Sequence, residues 1–297
     1  MRLLSAGEPL PLSKLGLRDS VQDAIGQLLG RSYGLILVCG PTGSGKTTTL
    51  HSLLGVLNAP ERKIWTAEDP VEISQPGLRQ VQVNSRIEWT FAAAMRSFLR
   101  ADPDVIMIGE MRDAETASMA IEASLTGHLV LSTLHTNSAA ETIVRLLEMG
   151  MDPFSFADAL IGVLAQRLAR RLCEGCRSHR PASQEELAAL AEEYCRETPL
   201  PPEAVIADWR ARFGGAPHVY QAEGCDRCRR TGYRGRIGLH ELLVTTPDLR
   251  QRMQRKESAS ELRNEAMRTG MVTLRQDGIE KCLLGVTDLH EVRAVAS

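Results

Sequence analysis

The stretch LILVCGPTGSGKTTTL, Leu35 to Leu50, decides the fold. Leu35–Cys39 is an apolar run of strand length, and Thr48–Leu57 reads as a helix. Between them, Gly40, Pro41, Thr42, Gly43, Ser44, Gly45, Lys46 and Thr47 satisfy the phosphate-loop pattern G-x-x-x-x-G-K-[ST] in its proper strand–loop–helix setting. Glycines let backbone N–H groups turn inward around phosphate oxygens, and the helix N-terminus adds partial positive charge. Lys46 is placed to reach the β- and γ-phosphates, and the Thr47 hydroxyl to ligate Mg²⁺. Gly40 through Thr48 therefore form the candidate nucleotide-binding set. The plain alternative is a fortuitous glycine turn. Because many unrelated activities share this loop, it implies a nucleotide such as ATP and little more.

Composition sets few further limits. The 297 residues carry a formal charge of −2, with 43% hydrophobic and 24% charged residues. That is ordinary for a globular chain and gives no basic excess of the kind nucleic acid attracts, so no direct nucleic-acid partner is expected. No apolar run approaches the ~20 residues needed to cross a bilayer. The N-terminus, with a single Arg and a broken apolar stretch, is a poor signal peptide. A cytoplasmic location is expected, where the seven cysteines are reduced or metal-bound rather than bridged.

Outward from the loop, apolar runs recur at Ile64–Ala67, Val105–Ile108 and Leu129–Leu131, separated by turns and helical stretches. This is the pattern of an α/β fold with a parallel sheet, whose strands are buried on both faces and so do not alternate with polar residues. Residues 1–17 read as a linker or the remnant of an N-terminal domain, and 18–165 as the nucleotide-binding core. Residues 166–235 read as a cysteine-bearing subdomain with an exposed helical insert at Ser183–Glu197, and 236–297 as a mostly helical region.

Ligands of open α/β sheets bind beyond the carboxyl ends of the strands. There the sequence offers Glu68, Glu110 and His135. Gly109 stands where an aspartate would ordinarily help hold magnesium, and Glu110 follows it. A carboxylate at that edge can orient water or accept its proton during attack on a γ-phosphate. Metal duty then shifts to Thr47, ordered waters and Glu68, although Glu68-Asp69-Pro70 also makes an ordinary turn. His135 is the candidate γ-phosphate sensor. His128 lies roughly 20 Å away if the intervening chain is extended, so a structural or inter-domain role is expected of it. Arg96 and Arg100, at helical i,i+4 spacing, share a face, whose ordinary reading is a solvated helix surface. Asp102 and Asp104 precede their strand and belong at its opposite end.

Cys173-x-x-Cys176 and Cys225-x-x-Cys228 are two knuckles with the ligand spacing of a closed tetrahedral Zn²⁺ site. Metal-free reduced thiols are the alternative. Cys39, Cys195 and Cys282 read as buried or incidental thiols.

Taken in order, GPTGSGKTTTL (from Gly40), TAEDPVE (from Thr66), DPDVIMIGEMRDAET (from Asp102) and TGHLVLSTLHTNSA (from Thr126) resemble the secretion motor ATPases. The likeness is greatest to the assembly ATPases of type II secretion and type IV pilus systems. It continues through GYRGRIGLHELL (from Gly232) and GMVTLRQDGIEKCLLGVTDLHEV (from Gly270). The resemblance implies a RecA-like core with a tetracysteine zinc subdomain and a homo-hexameric ring at the cytoplasmic face of the bacterial inner membrane. It also implies assembly-platform proteins as partners, Glu110 as the catalytic glutamate after the family's own glycine, and Arg96 and Arg100 at the nucleotide site or subunit boundary. Members of this family begin with a longer N-terminal region, so weak ATPase activity and poor membrane recruitment are expected of this chain alone. Two other classes stay open: a DNA-translocating ATPase with the same core, and a non-catalytic nucleotide-binding scaffold.

Overall fold

The computed structural model describes residues 9–196, 198 and 200–296. Its strands are β1 (Gly34–Cys39), β2 (Ile64–Glu68), β3 (Arg79–Gln82), β4 (Val105–Ile108) and β5 (Leu129–Leu134). They continue as β6 (Leu160–Leu172), β7 (Arg177–Pro181), β8 (His218–Ala222) and β9 (Tyr233–Val244). The chain forms two compact units. One runs up to Gln166 and takes in Leu242–Met271; the other comprises Arg167–Glu241 and the residues from Val272 onward. The expected helical region 236–297 is thus shared between the units. Its segment Leu242–Met271 is drawn to the first because Thr245 N–H donates to Ile161 O at 3.1 Å and the helix Ala259–Arg268 packs on Ala139–Glu148.

The main sheet has the order β3-β2-β4-β5-β1-β6-β9. Parallel pairing in register (Gly34 with Leu129, Val105 with Leu129, Ile64 with Val105) brings the carboxyl ends of β1, β2, β4 and β5 to one rim. All residues of β1, β4 and β5 are buried, as strands covered on both faces must be. On one face, Ile36, Val38, Met107 and Leu131 pack beneath the helices Asp19–Leu29 and Lys46–Leu57, which contribute Ile25, Leu28, Leu29, Leu50, Leu53, Leu54 and Leu57. That i, i+3, i+4, i+7 spacing gives each helix its apolar stripe, and each fully buried leucine contributes about 1.5–3 kcal/mol.

β5 runs past the expected Leu131 to Leu134. Ser132 and Thr133 can be buried because their hydroxyls donate to Ile108 O (2.8 Å) and Gly109 O (2.7 Å) on the adjoining strand. Of residues 1–17, expected as a linker or the remnant of an N-terminal domain, 1–8 lie outside the described part. Within the described part Leu12–Lys14 forms a 3₁₀ turn and Leu15 is buried.

In the second unit, β7 and β8 form an antiparallel ribbon. The insert is helical at Gln184–Cys195, but it is not simply exposed. Leu187, Leu190, Ala191 and Cys195 join Val205, Trp209, Ile279 and Leu283 in a second core. Glu193, buried on the same helix, is held by Arg275 (3.0 Å) and Arg293 (2.6 Å). The Glu/Ala-rich composition hid this apolar stripe. Cys39, Cys195 and Cys282 are buried thiols, and no helix among the described residues is long and apolar enough to cross a membrane.

Candidate active site and metal centre

The phosphate loop leaves β1 at Cys39 and closes into the helix Lys46–Leu57. Gly45 caps that helix at φ 88° with no side-chain cap on its first N–H groups, a left-handed conformation suited to glycine. At Gly40 (φ 151°), a Cβ would lie 2.5 Å from Gln166 O and 2.6 Å from Ser44 Oγ, so no larger residue fits. Pro41, Thr42 and Gly43 crown the loop in solvent, whereas Ser44 and Lys46 are buried and Thr47 and Thr48 half-buried. Lys46 Nζ donates to Gly40 O (2.8 Å) and Pro41 O (3.1 Å), which holds the ammonium over the loop. The buried Ser44 Oγ has no hydrogen-bond partner among the described residues.

Gln166 fixes the loop from behind. Its Nε2 donates to Ser44 O at 2.6 Å, and its Oε1 accepts from Thr49 Oγ1 at 2.8 Å. No motif marks Gln166; a polar residue inside the apolar run LIGVLAQRL was the only signal.

β5 lies between β1 and β4 in the sheet, so His135 follows a strand flanked on one side by the phosphate loop and on the other by Glu110. His135 Nε2 lies 3.3 Å from Glu110 Oε2, and Arg112 Nη2 pairs with Glu110 Oε1. Asp69 stands 3.9 Å from Arg112. Burial acts to raise the Glu110 pKa, but the Arg112 guanidinium and His135 outweigh it and hold the carboxyl below 4.5. An ionised carboxylate at this rim can accept a proton. Gly109 has its own reason: a Cβ there would meet Ala67 O at 3.3 Å and Glu68 Cα at 3.5 Å, so an aspartate would crowd β2.

Glu68 ends β2 on this rim, but its carboxylate turns inward. It accepts from Thr66 Oγ1 (2.6 Å), Gln80 Nε2 (3.0 Å) and His51 Nε2 (3.1 Å). His51 Nδ1 in turn accepts from Gln75 Nε2 at 2.8 Å, which sets its tautomer. His51 stands one helical turn past Thr47, so this network reaches the phosphate-loop helix through a residue no motif marked.

Arg96 and Arg100 do not share a helical face. The helix Phe91–Phe98 ends before Arg100, and Arg100 N–H caps a turn on Ser97 O. Arg96 pairs with Glu115 at 2.6 Å, both side chains exposed. His128 sits at the amino end of β5, its Nδ1 3.0 Å from Ala123 O, at the opposite end of the strand from His135. Asp104 accepts from Lys63 N–H there at 2.6 Å, as its place before β4 led us to expect.

In the second unit, Cys173, Cys176, Cys225 and Cys228 place their Sγ atoms within 4.8 Å of one another. The closest separations are 3.8 and 3.9 Å. A tetrahedral zinc with Zn–S bonds of ~2.3 Å needs sulfur–sulfur edges of about 3.8 Å. The N–H groups of Cys225 and Gly232 point at Cys228 Sγ (3.1 and 3.2 Å) and, with the neighbouring Cys176 and Cys225 thiols, lower its pKa to about 6, whereas burial pushes the Cys176 thiol up to about 12; a bound metal requires all four as thiolates.

A glycine loop between a buried parallel strand and a helix, with carboxylate and imidazole on the same rim, is the arrangement of the P-loop nucleotide-binding proteins. Within that class the comparisons are specific. The family described as Type II/IV secretion system protein matches residues 1–294, and the chain belongs to it. It is 45% identical to the type IV pilus assembly ATPase PilB of Thermus thermophilus, over 99% of this chain and 31% of that protein. It is 43% identical to the type II secretion system ATPase E of Vibrio cholerae, over 99% and 55% respectively. The crystal structure of the pilus retraction motor PilT with bound ADP superposes with a TM-score of 0.68 at 29% identity, covering 99% of this chain and 68% of that one. The chain spans about a third to a half of the length of these curated relatives.

Proposed function

We propose that this chain binds ATP in the Gly40–Thr48 loop, hydrolyses it to ADP and phosphate, and within its whole protein powers pilus or pseudopilus assembly. Its relatives are named as assembly and secretion ATPases, and the related PilT structure carries ADP. The observation that carries the reading is the shared rim: Glu110 and His135 stand beside the phosphate loop, with β5 between β4 and β1.

The loop fits a polyphosphate. The orphaned Ser44 hydroxyl, the left-handed glycines and the open space above Gly43 are features a phosphate would use, and Lys46 supplies the charge. In hydrolysis, Glu110 accepts a proton from the attacking water as its oxygen bonds to the γ-phosphorus, in line with the breaking bond to the departing ADP oxygen. Arg112 keeps Glu110 ionised and aimed, and His135 senses the γ-phosphate. Mg²⁺ held by the Thr47 hydroxyl, with ordered water and the Glu68 network behind it, would neutralise phosphate charge. The four cysteines close a zinc site with no open position, a structural role.

By the same reading, the working form is a homo-hexamer at the cytoplasmic face of the inner membrane, docked on assembly-platform proteins. Arg96 and Arg100 serve its nucleotide site or subunit boundary, and residues outside this chain complete the ring. Residues 18–165 serve as the ATPase core and 166–235 as the zinc subdomain, with 1–17 a linker or remnant of an N-terminal domain and 236–297 a C-terminal, mostly helical region. The test is Mg²⁺-dependent phosphate release by the wild type and by Lys46→Ala. Slow release by the wild type and none by the variant supports the proposal; equal release by both removes it.

A further inference from the structure

The tetracysteine unit carries a second concave surface unrelated to the phosphate loop. It is a cavity of about 450 Å³ lined by Arg171, Leu172, Cys173, Glu174, Gly175, Arg227, Arg234 and Gly235. That volume lies in the range of small-molecule sites, about 300–1,000 Å³. Its lining differs from that of most such sites: three guanidinium groups face one carboxylate, with Leu172 the one large apolar side chain. Recognition there is by charge.

The strands explain why these arginines gather. Successive side chains of a strand point to opposite faces. Arg170 and Tyr233 fall on one face: Arg170 lies 4.1 Å above the Tyr233 ring and pairs with Glu291 at 2.7 Å, and Tyr233 Oη donates to Asp288 at 2.6 Å. Those groups are engaged within the unit. Their sequence neighbours Arg171 and Arg234 therefore turn to the other face and line the cavity. Arg227 joins them from the second cysteine knuckle. Gly175 seats it: a Cβ at residue 175 would stand 3.3 Å from Arg227 Cδ and 3.6 Å from its Nη1, so the first knuckle is cut away where the arginine crosses it. Arg171 bonds Glu174 at 2.6 Å, a pair exposed on both sides and so readily exchanged for a stronger anion. The side chains of Arg227 and Arg234 have no hydrogen bond or ion pair among the described residues.

We propose that this cavity is an anion-binding site for a phosphate-ester group, held by Arg171, Arg227 and Arg234. The planar fork of arginine binds phosphate oxygens in pairs, which a lysine cannot do. Two free guanidinium groups and a third held only at the surface are what a dianion needs. The phosphate can come from a soluble phosphorylated compound or from a lipid headgroup; the recognition chemistry is the same.

The test uses zinc-loaded chain carrying Lys46→Ala, which disables the phosphate loop. Pyrophosphate binding is measured by calorimetry, with and without Arg227→Ala/Arg234→Ala, and in parallel with Arg227→Lys/Arg234→Lys. Zinc content serves as the check on folding. Pyrophosphate binding that weakens at least about tenfold in the alanine pair, and less in the lysine pair, with zinc retained, supports a site for a soluble anion. If pyrophosphate does not bind, co-sedimentation with phosphatidylglycerol vesicles but not with phosphatidylcholine vesicles, lost in the alanine pair, assigns the site to headgroups. Binding of neither probe, or binding indifferent to Arg227 and Arg234, overturns the proposal.

Discussion

His135 Nε2 stands 3.3 Å from Glu110 Oε2, although their strands are separate in sequence. The contact depends on the order of the sheet. β5 pairs with β4 on one side and with β1 on the other, so the imidazole at its end is next to both the carboxylate and the phosphate loop. Under the proposed function, a γ-phosphate bound at the loop acts on Glu110 through His135 and Arg112.

The buried Gln166 amide predicts that the phosphate loop depends on a residue far from any motif. Gln166→Ala strips a partner from Ser44 O and from Thr49 Oγ1, and each unsatisfied buried group costs about 1–3 kcal/mol. Urea unfolding should show that loss of stability, and fluorescent-ATP titration a roughly tenfold weaker affinity, worth about 1.4 kcal/mol. A stability loss with unchanged affinity would mean that Gln166 supports packing alone.

Acid should act through Glu68. Burial tends to raise its pKa, but hydrogen bonds from His51, Gln80 and Thr66 outweigh it and hold it below 4.5. A depressed carboxyl stabilises the folded state fully above its unfolded value and loses that contribution as pH falls through the folded value. Glu68→Gln should therefore cost about 1–3 kcal/mol at neutral pH, with the gap to wild type closing steadily below pH 4.5. Urea midpoints measured across pH check this; a gap of constant size would place the effect in shape rather than charge.

The cysteine tetrad should hold about one zinc ion per chain. Replacing Cys228 with serine removes the thiolate favoured by two backbone N–H groups, so bound zinc should fall to near zero by elemental analysis. Protease should then cut the second unit preferentially. Full zinc content in the variant would contradict the assignment.

The sequence disclosed most where chemistry demands fixed residue types. Gly40 to Thr47 is readable because the phosphate-loop pattern tolerates few alternatives, and the cysteine knuckles because a tetrahedral metal site would set their spacing. β4 was legible as a wholly apolar run. β5 was cut short because Ser132 and Thr133 look like a loop until their carbonyl partners on the neighbouring strand are known. β3 was missed because it is short and largely polar. The insert looked exposed because its stripe of Leu187, Leu190 and Ala191 is diluted by Glu and Ala, and the Trp209 that completes its core comes from another helix. Gln166 and His51 are tertiary partners, and no spacing rule reports on those. The pair Arg96 and Arg100 shows the converse: i,i+4 spacing signals a shared face only while the helix lasts, and this one stops at Phe98.

The claim that Glu110 primes the attacking water is tested most directly by Glu110→Gln. ATP-analogue binding should stay within about twofold of wild type, while phosphate release falls by at least about 100-fold, the lower range for loss of a general base. Phosphate release equal to wild type would contradict the account.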